Sequence, residues 1–216
     1  MPVLMQSFAL RYPEVEALLA ELHQVAPTGR VALMGRIKNL QRKGWPPGTN
    51  SGRGKPADYD MRAVIELLMA FELTALRIPP EQAVEVLREL GWHYSAAELA
   101  RIGKDLRDGK VESVERVMKL LNVAVLMIFD PDGLETLREG SAQDPLGSPH
   151  PPWFLLEGEG ELPDLLYSGR RFAAVNVTRL LINAAIELER IAGINRRRFG
   201  EALLDWLGSL VDVGRP

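Results

Sequence analysis

Between residues 22 and 57 the chain holds no Asp or Glu, yet it carries Arg30, Arg36, Lys38, Arg42, Lys43, Arg53 and Lys55. Unpaired charge is prohibitively expensive to bury, so any fold that contains this stretch must leave much of it on a surface. An even spread would put about five of the 29 acids in a window this long. The window is therefore +7, and a chain of net charge −3 is −10 elsewhere. A basic block on an acidic body is the electrostatic footprint of a polyanion-binding module, because phosphates attract the cations while the body limits non-specific association. Charge alone fits a solvated basic helix followed by a polar loop equally well.

The apolar residues around this window recur at helical spacing. Val15, Leu18, Leu19 and Leu22 predict a helix over 14–25, broken by Pro27-Thr28-Gly29. Leu33, Met34, Ile37 and Leu40 predict a second helix from Arg30 to Lys43, with Gly44 at its C′ position. The segment WPPGTNSGRGKP (45–56) has the Pro and Gly content of a loop or tight hairpin and reads as a wing. Asp58 or Asp60 can cap a third helix to about Leu76, with a core stripe of Met61, Val64, Ile65, Leu68 and Leu76. A fourth helix opens with Pro80 near N1 and stops at Gly91. The chain thus reads as helix, turn, helix, wing, helix, helix over 1–91.

Advancing about 100° per residue, the second helix gathers Ala32, Gly35, Asn39 and Arg42 opposite its apolar stripe, flanked by Lys38 on one side and Arg36 and Lys43 on the other. Two tiny residues admit a close approach. Asn pairs with adenine and Arg with guanine in the major groove, so Asn39 and Arg42 are the candidate base readers. Arg30, Arg36, Lys38, Lys43, Arg53 and Lys55 are the candidate phosphate contacts. A Gly inside a helix costs about 0.5–1 kcal/mol, so Gly35 asks for a reason.

IKNLQRKGWPP, followed by the Gly-containing TNSGRGK, a capped helix and ELTALRIPPEQAVEVL, resembles the DNA-binding domain of MerR-type transcription regulators over about residues 30–90. The resemblance implies a winged helix-turn-helix placed by a homodimer on each half of a palindromic operator. The metal-binding Cys of the metal-sensing branch is missing, so a diverged bacterial or prophage-type regulator is expected instead. The expected partners are double-stranded DNA and a second copy of the chain, with RNA polymerase as a further candidate. The alternative is an architectural or excisionase-like protein that bends DNA.

Residues 92–216 resemble nothing familiar. Ser95 to Glu98 is a capping-box sequence for a helix through about Arg107, and residues 111–121 have helical spacing. Val123–Phe129, Trp153–Leu156 and Phe172–Val177 are strand candidates for a small sheet. A short helix from Asp130 to Arg138 and a linker, SAQDPLGSPHPP, lie between them, and two helices divided near Gly193 close the chain. The fold expected is α+β and mainly helical, with a dimerising C-terminal domain, and the sequence shows no effector pocket in it.

With no Cys and three scattered His, neither a metal site nor a cofactor is expected. The chain has no Walker A, GxSxG, HExxH or dinucleotide fingerprint, and enzyme chemistry is not expected. The apolar run Val117–Phe129 is too short to cross a bilayer, and the N-terminus lacks the marks of a signal peptide, so a cytoplasmic, nucleoid-associated protein is expected.

Overall fold

The computed structural model describes residues 8–49, 57–111, 125–129, 153–157 and 173–213. The expected helix after Val111, the helix from Asp130 to Arg138, the linker before Trp153 and the wing tip with Arg53 and Lys55 fall outside them.

Two-residue strands open the architecture: β1 (Leu10–Arg11) pairs antiparallel with β2 (Asp58–Tyr59), Leu10 opposite Tyr59. Leu10 and Tyr59 are fully buried, so this small ladder anchors both ends of the segment that contains α1 and α2. The helix α1 (Tyr12–Leu22) begins two residues earlier than its spacing predicts, because Pro13 fits the first turn and the Arg11 amide donates to Glu14 at 2.6 Å. It buries Val15, Leu18, Leu19 and Ala20.

After a 3-10 turn at Pro27–Gly29 comes α2 (Arg30–Arg42), which buries Leu33, Ile37 and Leu40. Its end is a Schellman motif: the Gly44 amide donates to Gln41 O, the Trp45 amide donates to Leu40 O, and Gly44 takes φ 74°. Trp45 then plunges into the core and donates its indole N–H to the Glu66 carbonyl at 3.3 Å. The chain leaving α2 is thereby tied to α3 (Met61–Ala75), whose first turn is capped by Asp60 accepting from the Ala63 amide.

The helix α3 is the centre of the molecule, with 11 of its 15 residues buried. The expected stripe member Leu76 is a correction: it lies past the helix end and is 41% exposed. A left-handed turn at Arg77 leads to α4 (Pro80–Glu89), Pro80 taking the first position as its ring requires.

A second 3-10 turn, Trp92–Ser95, precedes α5 (Ala96–Arg107). The three-stranded antiparallel sheet has order β4-β3-β5, from Trp153–Glu157, Val125–Phe129 and Ala173–Asn176. From β5 the chain runs directly into α6 (Val177–Ala192), with Asn176 as its cap, and Thr178 accepts from the Val125 amide at 2.8 Å to hold sheet and helix together. Gly193 in the left-handed region ends α6, and α7 (Arg196–Val213) follows.

The helices α5 and α7 cross at Gly103 and Gly200, where a Cβ on Gly200 would stand 2.5 Å from the Gly103 carbonyl oxygen. The core is one apolar cluster extending from Leu10 to Leu207, across residue 91. Trp206, half of a T-shaped pair with Trp92 at 5.7 Å, belongs to it. The molecule is mainly helical α+β, and among the described residues no helix is long and apolar enough to cross a membrane.

Candidate nucleic-acid interface

The helix α2 presents two very different sides. Leu33, Ile37 and Leu40 face inward, while Val31, Ala32, Gly35, Arg36, Lys38 and Arg42 are exposed. Val31 is 75% exposed, the most exposed of the large apolar side chains described. It falls on the same outer sector as Arg42, a position a helical wheel yields directly once the whole outer face is read and not only its polar members. Nothing lies within 4 Å of the Cβ that Gly35 lacks, so no contact inside the described protein requires a Gly there.

The candidate cations divide by partner. Arg36, Lys38 and Arg42 have no ion pair among the described residues. Arg30 lies 3.7 Å from Glu16 and 3.6 Å from Glu21, both on α1. Lys43 pairs with Glu81 on α4, and that hydrogen bond holds the Glu81 carboxyl below the usual carboxylate range. Arg30 and Lys43 thus reach a phosphate only by exchanging a carboxylate for it. Of the candidate base readers, Arg42 is exposed and Asn39 half-buried.

Asn39 and Arg36 line a groove of about 650 Å³. The α3–α4 turn at Arg77–Pro80 and His23 at the end of α1 also line it. Three separate stretches of chain, the end of α1, the body of α2 and the end of α3 with the turn after it, build this groove, and no single sequence window signals it. His23 stacks obliquely near Phe71, and its Nε2 has no hydrogen-bond partner among the described residues. Glu72 Oε1 is 3.9 Å from that nitrogen, too far for a hydrogen bond. Burial, with a smaller push from the Arg36 charge, lowers the His23 pKa, and burial raises that of Glu72. Desolvation therefore outweighs the pairing of the two, and each is shifted toward its neutral form.

Compared with protein-family models, curated proteins and solved structures, the chain matches none. Among the described residues no three His, Asp or Glu side chains converge as a metal site.

Proposed function

We propose that the chain is a sequence-specific duplex-DNA-binding transcription regulator, acting as a homodimer and not as an enzyme, with α2 as its recognition helix in a winged helix-turn-helix. The observation that carries this reading is the outer face of α2, which combines three cations without acid partners with Ala32 and an uncrowded Gly35. A major groove about 12 Å wide admits a helix, and the absence of a Cβ at Gly35 lets the backbone come nearer to it. Arg42 and Asn39 read base edges. Val31 and Ala32 offer methyl groups to thymine, and Arg36 and Lys38 grip phosphates. The β1–β2 ladder and the buried Trp45 support the wing assignment, since they fix where the 45–57 segment leaves and rejoins the body. The two-fold assembly rests on the resemblance to MerR-type regulators.

The test is fluorescence anisotropy with a random pool of duplexes, followed by selection of the tightest binders and titration with salt. Log affinity should fall against log salt with a slope of about −3 to −6, as expected when a dimer displaces several phosphate counterions. A slope near zero, or equal competition by single-stranded RNA, sinks the reading. On a selected duplex, Arg42→Ala should lose about 1–3 kcal/mol and relax preference at one base pair, whereas Lys38→Ala should weaken all duplexes alike.

A further inference from the structure

We propose that the groove between α2 and the α3–α4 turn binds a small organic carboxylate with an apolar body, its carboxylate held between Arg36 and Arg77. The volume, about 650 Å³, lies within the range of small-molecule sites. Val25, Leu33, Phe71 and Ile78 supply an apolar lining that suits a ring or a short chain. Arg36 on α2 and Arg77 in the α3–α4 turn both line the groove, and neither has an acid partner among the described residues. A guanidinium matches a carboxylate through two parallel hydrogen bonds, and the partly apolar walls strengthen that pairing. Asn39, Thr74 and the unpartnered Nε2 of His23 add neutral polar groups to the same lining.

Backbone geometry supplies an independent observation. The helices α1, α2, α3 and α5 all end in the same hydrogen-bonded motif, whose C′ residue must adopt positive φ. Glycine fills that position at Gly44 and Gly109, away from the groove. At the two motifs that frame the groove the residues are Gln24, next to His23, and Arg77, with φ of 50° and 70°. They are the only non-glycine residues with positive φ among those described. Left-handed backbone is unfavourable for a side-chain-bearing residue, and such strain gathers where a side chain is needed. At Arg77 that side chain is the second guanidinium of the proposed site.

Ligand binding itself does not depend on the DNA reading. The consequence for regulation does rest on it, since a ligand engaging Arg36 and Asn39 would remove both from the face offered to DNA.

Calorimetry on the full chain without DNA tests the site, using benzoate, indole-3-acetate and octanoate, the matching amides, and inorganic phosphate. At least one carboxylate should bind saturably with a Kd below about 1 mM, and its amide at least about tenfold more weakly, the worth of one charge-assisted pairing. Arg36→Gln and Arg77→Gly should each weaken that carboxylate by about tenfold or more, while Lys104→Gln, which removes an exposed charge on α5, leaves it unchanged. Unliganded Arg77→Gly should melt at a higher temperature than the parent. The proposal is overturned if no carboxylate saturates, if the amides bind equally, or if phosphate alone binds as tightly, which would make this a backbone-phosphate contact. It is also overturned if the Arg variants bind like the parent, or if Arg77→Gly melts lower, because the turn would then need Arg77 for folding. Since no DNA is present, failure here leaves the anisotropy result standing, and the converse holds too.

Discussion

Glu66 is the only charged residue that the described structure buries completely. Its Oε1 accepts from the Arg62 guanidinium at 2.7 Å, while Oε2 has no partner. Burial raises its pKa, and Arg62 offsets this only in part. A carboxyl that holds its proton more tightly folded than unfolded stabilises the fold below the ordinary Glu range, and that contribution is lost as pH rises through the raised value. Glu66→Gln should therefore gain on the parent as pH rises from 4 to 8 in chemical denaturation. A difference that stays flat across that range would show that the carboxylate is not held under strain. Gln24 is a simpler case. Its left-handed backbone favours glycine, so Gln24→Gly should stabilise by about 1 kcal/mol, or roughly 2–4 °C in a chain of this size. A loss would mean that the Gln24 side chain makes contacts that outweigh its strain.

Elements were legible in the sequence where local chemistry decides them. Gly44 marks the end of α2, Asp60 and Pro80 mark the starts of α3 and α4, and the three strands of the C-terminal sheet stand out as β-branched and apolar runs. The ladder β1–β2 was not legible, since a two-residue strand has no period to detect. The buried face of α3 was legible only in part. Met61, Val64, Ile65 and Leu68 are buried as the spacing predicts, but Leu67, Met69, Phe71 and Leu73 are buried as well. A helix surrounded by protein needs apolar residues on every side, so periodicity cannot mark one face. The outer face of α2 could be read because α2 is amphipathic, whereas the groove beside it could not, because it joins turns far apart in sequence. Helix crossings are equally invisible until the partners are known. Gly200→Ala should destabilise by about 1–3 kcal/mol, because the added methyl meets backbone of α5 that has nowhere to move. On the same helix Gly208→Ala meets nothing within 4 Å and should stabilise by about 0.5–1 kcal/mol. Similar melting temperatures for the two variants would refute the tight crossing.

At the scale of the whole molecule, acids outside the basic window set how much of its charge reaches solvent. Glu16 and Glu21 hold Arg30 against α1, and Glu21 also pairs with Arg190 of α6 at 2.6 Å, so one carboxylate joins the start of α2 to the C-terminal helices. Glu81 holds Lys43 at the other end of α2. Along the helix Arg36, Lys38 and Arg42 remain unpaired among the described residues. The acidic body thus mutes the charge of Arg30 and Lys43 and leaves the positive field of the outer face to Arg36, Lys38 and Arg42, on the helix where Gly35 permits the nearest approach. Glu81→Gln isolates this effect, because Glu81 is exposed and an ion pair in solvent adds little to stability. Releasing Lys43 adds one available cation to the chain. If α2 binds DNA, affinity for every duplex should rise, and the salt slope should steepen by about 0.9 for each phosphate newly contacted, with base preference unchanged. Anisotropy titrations of parent and variant across salt measure all three quantities. A variant with the parent's slope would place Lys43 away from the phosphates and leave Arg36, Lys38 and Arg42 as the cations of the interface.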